Sequence, residues 1–197
     1  MPQLQVGILL FNSVEVLDFA GPYEAFSITR FDESNDRAFQ VHTIARTKAP
    51  IQACYGLQVL PAFDYSDAPN LDILIVPGGY GAEQFELCQP DTLAWLRRQA
   101  QQVRILASVC TGAFLLAEAG LLDGKRATTH WMDIDRLESA YPAIQVQRDV
   151  KFVDEGAVAS AAGISAGIDL SLHLIERLLG RNVARATAKR MEYQTTV

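Results

Sequence analysis

The strongest signal along the chain is a set of short, unbroken apolar runs, separated by longer stretches in which apolar residues return every three or four positions. The runs are Val6 to Phe11, Phe39 to Ala45, Leu71 to Val76 (LDILIV) and Arg104 to Val109 (RILASV). Runs of this length without polar alternation suit strands buried on both faces, as in a parallel sheet covered by helices. Between them, Leu17 to Ile28, Asp91 to Gln102 and Thr111 to Ala119 read as helices, with Asp91 placed to cap the second.

Ile51 to Leu60 reads as a hairpin centred on Tyr55-Gly56, and the Pro77-Gly78-Gly79 stop after LDILIV predicts a tight loop. Further on, the pattern predicts a short strand at Lys125 to Thr129, a helix at Met132 to Ser139, a strand pair within Ile144 to Asp154, and a strand at Val158 to Ala161. Helices at Ile164 to Leu179 and Asn182 to Glu192 follow, the last with Arg185, Lys189 and Arg190 on a solvated face. This alternation predicts an α/β fold: one domain over residues 1–197, a three-layer α/β/α sandwich around a mostly parallel central sheet. Sites in such folds collect at the carboxyl ends of strands, here Val14 to Gly21, Pro77 to Gly81 and Cys110 to Gly112.

Composition narrows the function. With 197 residues, 49% of them apolar, the chain can build a continuous core, and a net charge of −6 argues against nucleic acid or an anionic membrane as partner. The start, MPQLQVGILLF, shows no basic leader and no membrane-length span, so a cytoplasmic location is expected. Cys54, Cys88 and Cys110 are odd in number and form no CxxC pair, so they read as thiols, not as disulfides or metal ligands.

Cys110, in ASVCTG, sits between a buried strand and a helix, where small neighbours permit a sharp turn. Helix N–H groups there would favour the thiolate and lower its pKa; the plainer reading is a small buried filler. Cys54, in a strand-like run, and Cys88, in a loop, read as structural. Asp18, in VEVLDFAGP, is an acid among apolar residues, suited by desolvation to proton transfer or else placed to cap a helix. Glu15 and Glu24 are weaker rivals expected in solvent. Thr111 offers either a hydroxyl to substrate or an ordinary cap, and Gly78-Gly79 either backbone N–H groups to a ligand or only a tight turn. His130, in ATTHW, is a secondary candidate, His42 and His173 read as structural, and Gly163 to Gly167 reads as close helix packing.

Together LDILIVPGGYGA, ILASVCTGAFLLAEAGLLDGKRATTHW and SAAGISAGIDL resemble the ThiJ/PfpI branch of the class I glutamine amidotransferase-like superfamily, over nearly the whole chain. VLDFAGP with SVCTG and TTHW is most similar to the isonitrile hydratases, and to the amidase-like domains that precede DNA-binding modules in some AraC-type regulators. The resemblance implies a flavodoxin-like fold, commonly a homodimer, with the cysteine at a strained elbow. It puts the nucleophile on Cys110, the acid on Asp18, the assisting hydroxyl on Thr111 and an anion-stabilising pocket near Gly79 and Thr111. His130 matches the TTH segment without an essential role.

Thr111 stands where protease and amidase relatives carry histidine, and Asp18 where glyoxal-acting or chaperone relatives carry glutamate, so those branches fit less well. With the sequence ending at Val197, a helix-turn-helix module is not expected, and the regulator reading carries less weight. The implied activity is hydration of a small-molecule isonitrile to an N-substituted formamide, without metal or organic cofactor. The alternative is a non-catalytic redox-sensing or small-molecule-binding domain in which Cys110 is oxidised.

Overall fold

The computed structural model describes residues 2–32 and 34–195; Met1, Thr196 and Val197, the ends of the expected domain, lie outside them. The first part of the chain forms β1 (Leu4–Leu10), α1 (Val16–Ile28), β2 (Phe39–Ala45), β3 (Ile51–Gln52), β4 (Gln58–Val59), β5 (Phe63–Asp64), β6 (Ile73–Val76), α2 (Tyr80–Gln84), α3 (Pro90–Ala100), β7 (Ile105–Val109) and α4 (Gly112–Glu118). There follow β8 (Arg126–Ala127), α5 (Ile134–Ala140), β9 (Gln145–Val146), β10 (Phe152–Asp154), β11 (Val158–Ala161), α6 (Ala166–Leu179) and α7 (Arg181–Arg190).

Seven strands make the central sheet in the order β10-β11-β7-β6-β1-β2-β5. Every pairing is parallel except β10 with β11. Taken alone, β2, β1, β6, β7 and β11 reproduce the flavodoxin-like order, with the reversal falling between β1 and β6. A crevice opens at the carboxyl ends of strands on either side of such a reversal. Helices α1, α6 and α7 pack together on one layer, and α2, α3 and α4 form the other. All residues of β6 and of β7 are buried, which is why neither shows polar alternation in the sequence. Each fully buried Ile or Leu there contributes about 2 kcal/mol of transfer free energy. Among the described residues no helix is long and apolar enough to cross a membrane.

Local differences from the expected pattern have physical causes. Where a loop was expected after Gly79, five residues wind into α2. The strands within Ile144 to Asp154 do not pair with each other: β9 joins β8 and β10 joins β11, partners chosen by tertiary packing. In α3, Pro90 takes the first helical position and Gln89 the cap, so Asp91 does not cap the helix but lies in its first turn, beside the positive end of its dipole. The hairpin expected around Tyr55-Gly56 forms between β3 and β4, with Tyr55 at φ 63°. Helix α6 starts at Ala166, two residues later than expected, because Ile164 holds φ 46° and cannot be helical. On α7, Arg185, Lys189 and Arg190 are exposed while Val183, Ala184, Thr187 and Ala188 face inward.

Candidate active site

Strand β7 ends by delivering Cys110 into a sharp turn at φ 54°, a left-handed conformation that costs a non-glycine residue about 1–3 kcal/mol. The surroundings impose it. The Cys110 N–H is shared between the carbonyls of Ala161 (3.2 Å) and Ala162 (3.0 Å), and its own carbonyl accepts the Thr129 hydroxyl at 2.9 Å. The elbow expected from ASVCTG is therefore present, with the thiol 7% exposed.

Three strand-end loops meet here at backbone distance. A Cβ on Gly78 would lie 2.5 Å from the Thr111 nitrogen, and one on Gly112 would lie 2.1 Å from the Val76 carbonyl oxygen. Gly79, at φ 116°, abuts the backbone of Glu15. The Glu15 N–H donates to the Gly78 carbonyl at 2.9 Å, tying the loop after β1 to the loop after β6. Glycine is required at this junction because three main chains occupy the space a side chain would need.

Asp18 lies in the first turn of α1 and is fully buried. It does not cap the helix. Glu15 holds that position, its carboxylate accepting the Val16 N–H at 3.2 Å. The Asp18 carboxyl instead crosses to the other loops: Oδ2 accepts the Gly78 N–H at 3.0 Å, while Oδ1 is buried without a nitrogen or oxygen partner. The Cys110 thiol lies near enough to interact with the carboxyl. Burial is the largest influence and pushes the Asp18 pKa up to about 7, against the Gly78 hydrogen bond; the charge of Glu15 adds to the rise, and the thiol offsets part of it.

The Cys110 thiol is also pushed up, first by burial and then by the charge of Asp18. Backbone N–H groups of Thr111 and Ile164 act in the other direction, and Asp133 adds to the rise. This reverses the expectation of a thiolate stabilised by a helix terminus. Helix α4 has only seven residues, and desolvation beside a carboxylate outweighs its dipole. Protonating Asp18 removes the second cause, so the two groups titrate as a coupled pair.

Thr111 is buried at the N-cap position of α4 but makes no side-chain cap; its hydroxyl accepts the Gly79 N–H at 2.9 Å. Both glycine N–H groups are thus engaged within the protein, Gly78 by Asp18 and Gly79 by Thr111. Backbone N–H groups of Thr111 and Ile164 are instead the ones that favour the thiolate.

Ile164 escaped the sequence reading, which treated Gly163 to Gly167 as packing. A β-branched residue at φ 46° is a strained exception, and its N–H is one of the two that favour the Cys110 thiolate. Gly163 permits this arrangement, since the ring of His130 occupies the place of its missing Cβ, with Cδ2 at 2.1 Å from that position. His130 Nδ1 accepts the Met132 N–H at 3.4 Å and stands 3.8 Å from Asp133. Cys54 is not in a strand but on the hairpin turn, where its thiol donates to the Ser13 carbonyl at 3.2 Å and feels the charges of Glu15 and Asp18. Cys88 and Glu24 are exposed. His42 bonds Gln5 at 2.8 Å and His173 bonds Asp154 at 2.8 Å, as structural residues.

Residues 4–177 match the DJ-1/PfpI family. Over 190 residues the chain is 40% identical to an isonitrile hydratase of Pseudomonas putida, an alignment covering 96% of this chain and 78% of that protein. It is 30% identical over 189 residues to the HTH-type transcriptional regulator GbdR of Pseudomonas aeruginosa, covering 96% of this chain and 50% of the regulator. Among solved structures, a ThiJ/PfpI family protein from Pseudomonas syringae superposes with a TM-score of 0.86 at 27% identity, over 98% of this chain and 76% of that one. Drosophila melanogaster DJ-1beta superposes with a TM-score of 0.83 over 98% of this chain and all of its own; at 18% identity the likeness is one of fold.

Proposed function

This chain belongs to the DJ-1/PfpI family, and from that premise we propose that it hydrates isonitriles to N-substituted formamides with Cys110 as nucleophile and Asp18 as the proton carrier. The observation that carries this reading is the buried Asp18 carboxyl set against the Cys110 thiol. An isonitrile is unusual in that its terminal carbon must gain a nucleophile and a proton at the same atom. A protonated thiol beside a carboxyl supplies both from one place, sulfur as the nucleophile and the thiol proton carried by the carboxyl.

In the proposed sequence the sulfur bonds to the terminal carbon as the thiol proton, carried by Asp18, passes to that carbon, giving a thioimidate, R–N=CH–S–Cys110. Water adds across the C=N bond, its hydroxyl to carbon and its hydrogen to nitrogen. Collapse of this adduct breaks the C–S bond and releases R–NH–CHO, while Asp18 returns the hydroxyl proton to the sulfur. The net change is addition of one water. N–H groups of Thr111 and Ile164 would steady the sulfur while it carries charge. Neither metal nor organic cofactor enters the scheme.

The test is formamide production from a simple isonitrile. Cys110→Ala is expected to abolish turnover and Asp18→Asn to lower it roughly 100-fold or more; unchanged rates in either variant would sink the mechanism.

The likeness to half of a transcriptional regulator favours a second reading, a small-molecule-binding or redox-sensing domain. Peroxide reacts with thiolate, and burial beside Asp18 works against that form at Cys110. Intact-mass measurement after mild peroxide decides it, with selective oxidation at Cys110 supporting the sensor.

A further inference from the structure

We infer that Thr129 is a positioning residue for the Cys110 sulfur and acts through the peptide that joins Cys110 to Thr111: its hydroxyl fixes the carbonyl at one end of that rigid plane and so directs the Thr111 N–H at the other. For turnover, the inference rests on the hydratase reading; for the thiol, it rests on the hydrogen bonds around the elbow.

A peptide unit is planar, with its C=O and N–H on opposite sides, so a bond that orients one orients the other. The Thr129 hydroxyl, itself buried, donates to the Cys110 carbonyl at 2.9 Å. The N–H of the same peptide belongs to Thr111 and is one of the two that favour the thiolate. A hydrogen bond accepted by the carbonyl also polarises the unit and strengthens its N–H as a donor. The Ala113 N–H reaches this carbonyl too, at 3.3 Å, but it belongs to the helix that the elbow starts, whereas Thr129 comes from a separate segment.

That segment is tied on both sides, which is what makes it an anchor. The Ala127 carbonyl accepts the Gln147 N–H at 2.7 Å, the Thr128 N–H donates to Ser160 Oγ at 2.9 Å, and the Thr128 hydroxyl donates to the Gln147 carbonyl at 3.0 Å. Ser160 lies on β11 opposite Ser108 of β7, two residues before the cysteine. The strands that hold the elbow therefore hold its anchor as well.

Two carboxylates act on the thiol, Asp18 on α1 and Asp133 in the turn after His130. Asp18 is bonded to Gly78, while Asp133 faces Arg136 and His130, whose ring packs on Gly163. Removing the Thr129 hydroxyl withdraws neither charge.

The experiment compares Thr129→Val, which keeps the shape and loses the hydroxyl, with Thr129→Ser, which keeps the hydroxyl. Thr128→Val serves as the control, because it removes a neighbouring buried hydroxyl that bonds Gln147 and not the elbow. All are measured below the onset of unfolding, and Thr129→Ala takes the place of Thr129→Val should that chain not fold. Iodoacetamide alkylation of Cys110, read by site-resolved mass spectrometry against exposed Cys88 in the same chain, is the first readout. It is expected to slow roughly fivefold in Thr129→Val, to recover in Thr129→Ser, and to stay at the native rate in Thr128→Val. With methyl isocyanoacetate, kcat should follow the same pattern at unchanged KM, because Thr129 is buried and presents no surface to substrate.

A rate in Thr129→Val equal to or above the native one would overturn the inference, as would an equal loss in Thr128→Val or a failure of Thr129→Ser to recover. Slowed alkylation with kcat untouched would overturn the role in turnover. Slowed alkylation in a chain whose native form hydrates no isonitrile would uphold the positioning and remove the hydratase reading.

Discussion

Asp18 and Gly78, sixty residues apart in sequence, are joined by a 3.0 Å hydrogen bond from the glycine N–H to a fully buried carboxylate. The bond holds the carboxyl against the thiol, but it does not repay the burial of a charge, since the Asp18 pKa still stands at about 7 instead of the usual 3.8. An acid raised on folding stabilises the protein fully below its unfolded pKa, and that contribution is lost as pH rises through the folded value. Asp18→Asn, which keeps an acceptor for Gly78 and cannot ionise, should therefore gain on the native chain between pH 4 and pH 7. The gain should approach about 4 kcal/mol at most. Urea unfolding at several pH values checks this; a stability gap that does not change with pH would mean that the carboxylate is buried without penalty.

Thr111→Val should destabilise the protein by about 1–2 kcal/mol, because the Gly79 N–H loses its acceptor at a half-buried site. Thr111→Ser, which retains the oxygen, should cost less. Equal unfolding midpoints for the two variants would show that the hydroxyl contributes nothing to holding the loop.

Gly163→Ala places a methyl group where the His130 ring lies and should cost about 1–3 kcal/mol. In a His130→Ala background the same substitution should cost little, so a double-mutant cycle measures the coupling directly. Additive effects would show that the ring and the glycine do not constrain each other.

Cys110→Gly should be at least as stable as Cys110→Ala, by up to about 1 kcal/mol, although glycine usually weakens a folded chain. The reversal would come from φ 54° at this position. A clearly more stable alanine variant would mean that the elbow relaxes when the thiol is removed.

The layer order and the three loops that build the site were legible in the sequence because their signals are local. LDILIV and RILASV are apolar throughout because both faces of β6 and β7 are covered, and glycine marks the places where main chains touch. What stayed hidden depends on partners distant along the chain. The pairing of β9 with β8, not with β10, is invisible in Ile144 to Asp154 itself. The backbone strain at Ile164 has no signature in its own residue type, since isoleucine ordinarily avoids that conformation; only the preceding Gly163 hints at it. The raised thiol pKa required knowing how near Asp18 lies and how little solvent reaches either group.

The junction of glycine loops also bears on how the protein matures. Its contacts join segments far apart along the chain: Glu15 to Gly78, Gly79 to Thr111, and Cys110 to Ala161. Contacts of such long separation form late, after the entropic cost of closing large loops has been met. As the chain leaves the ribosome, Cys110 emerges before β11, the strand that will hold its elbow, has been synthesised. Cys110 thus spends its first moments as an ordinary solvated cysteine, and acquires its buried setting beside Asp18 only in the final stage of assembly.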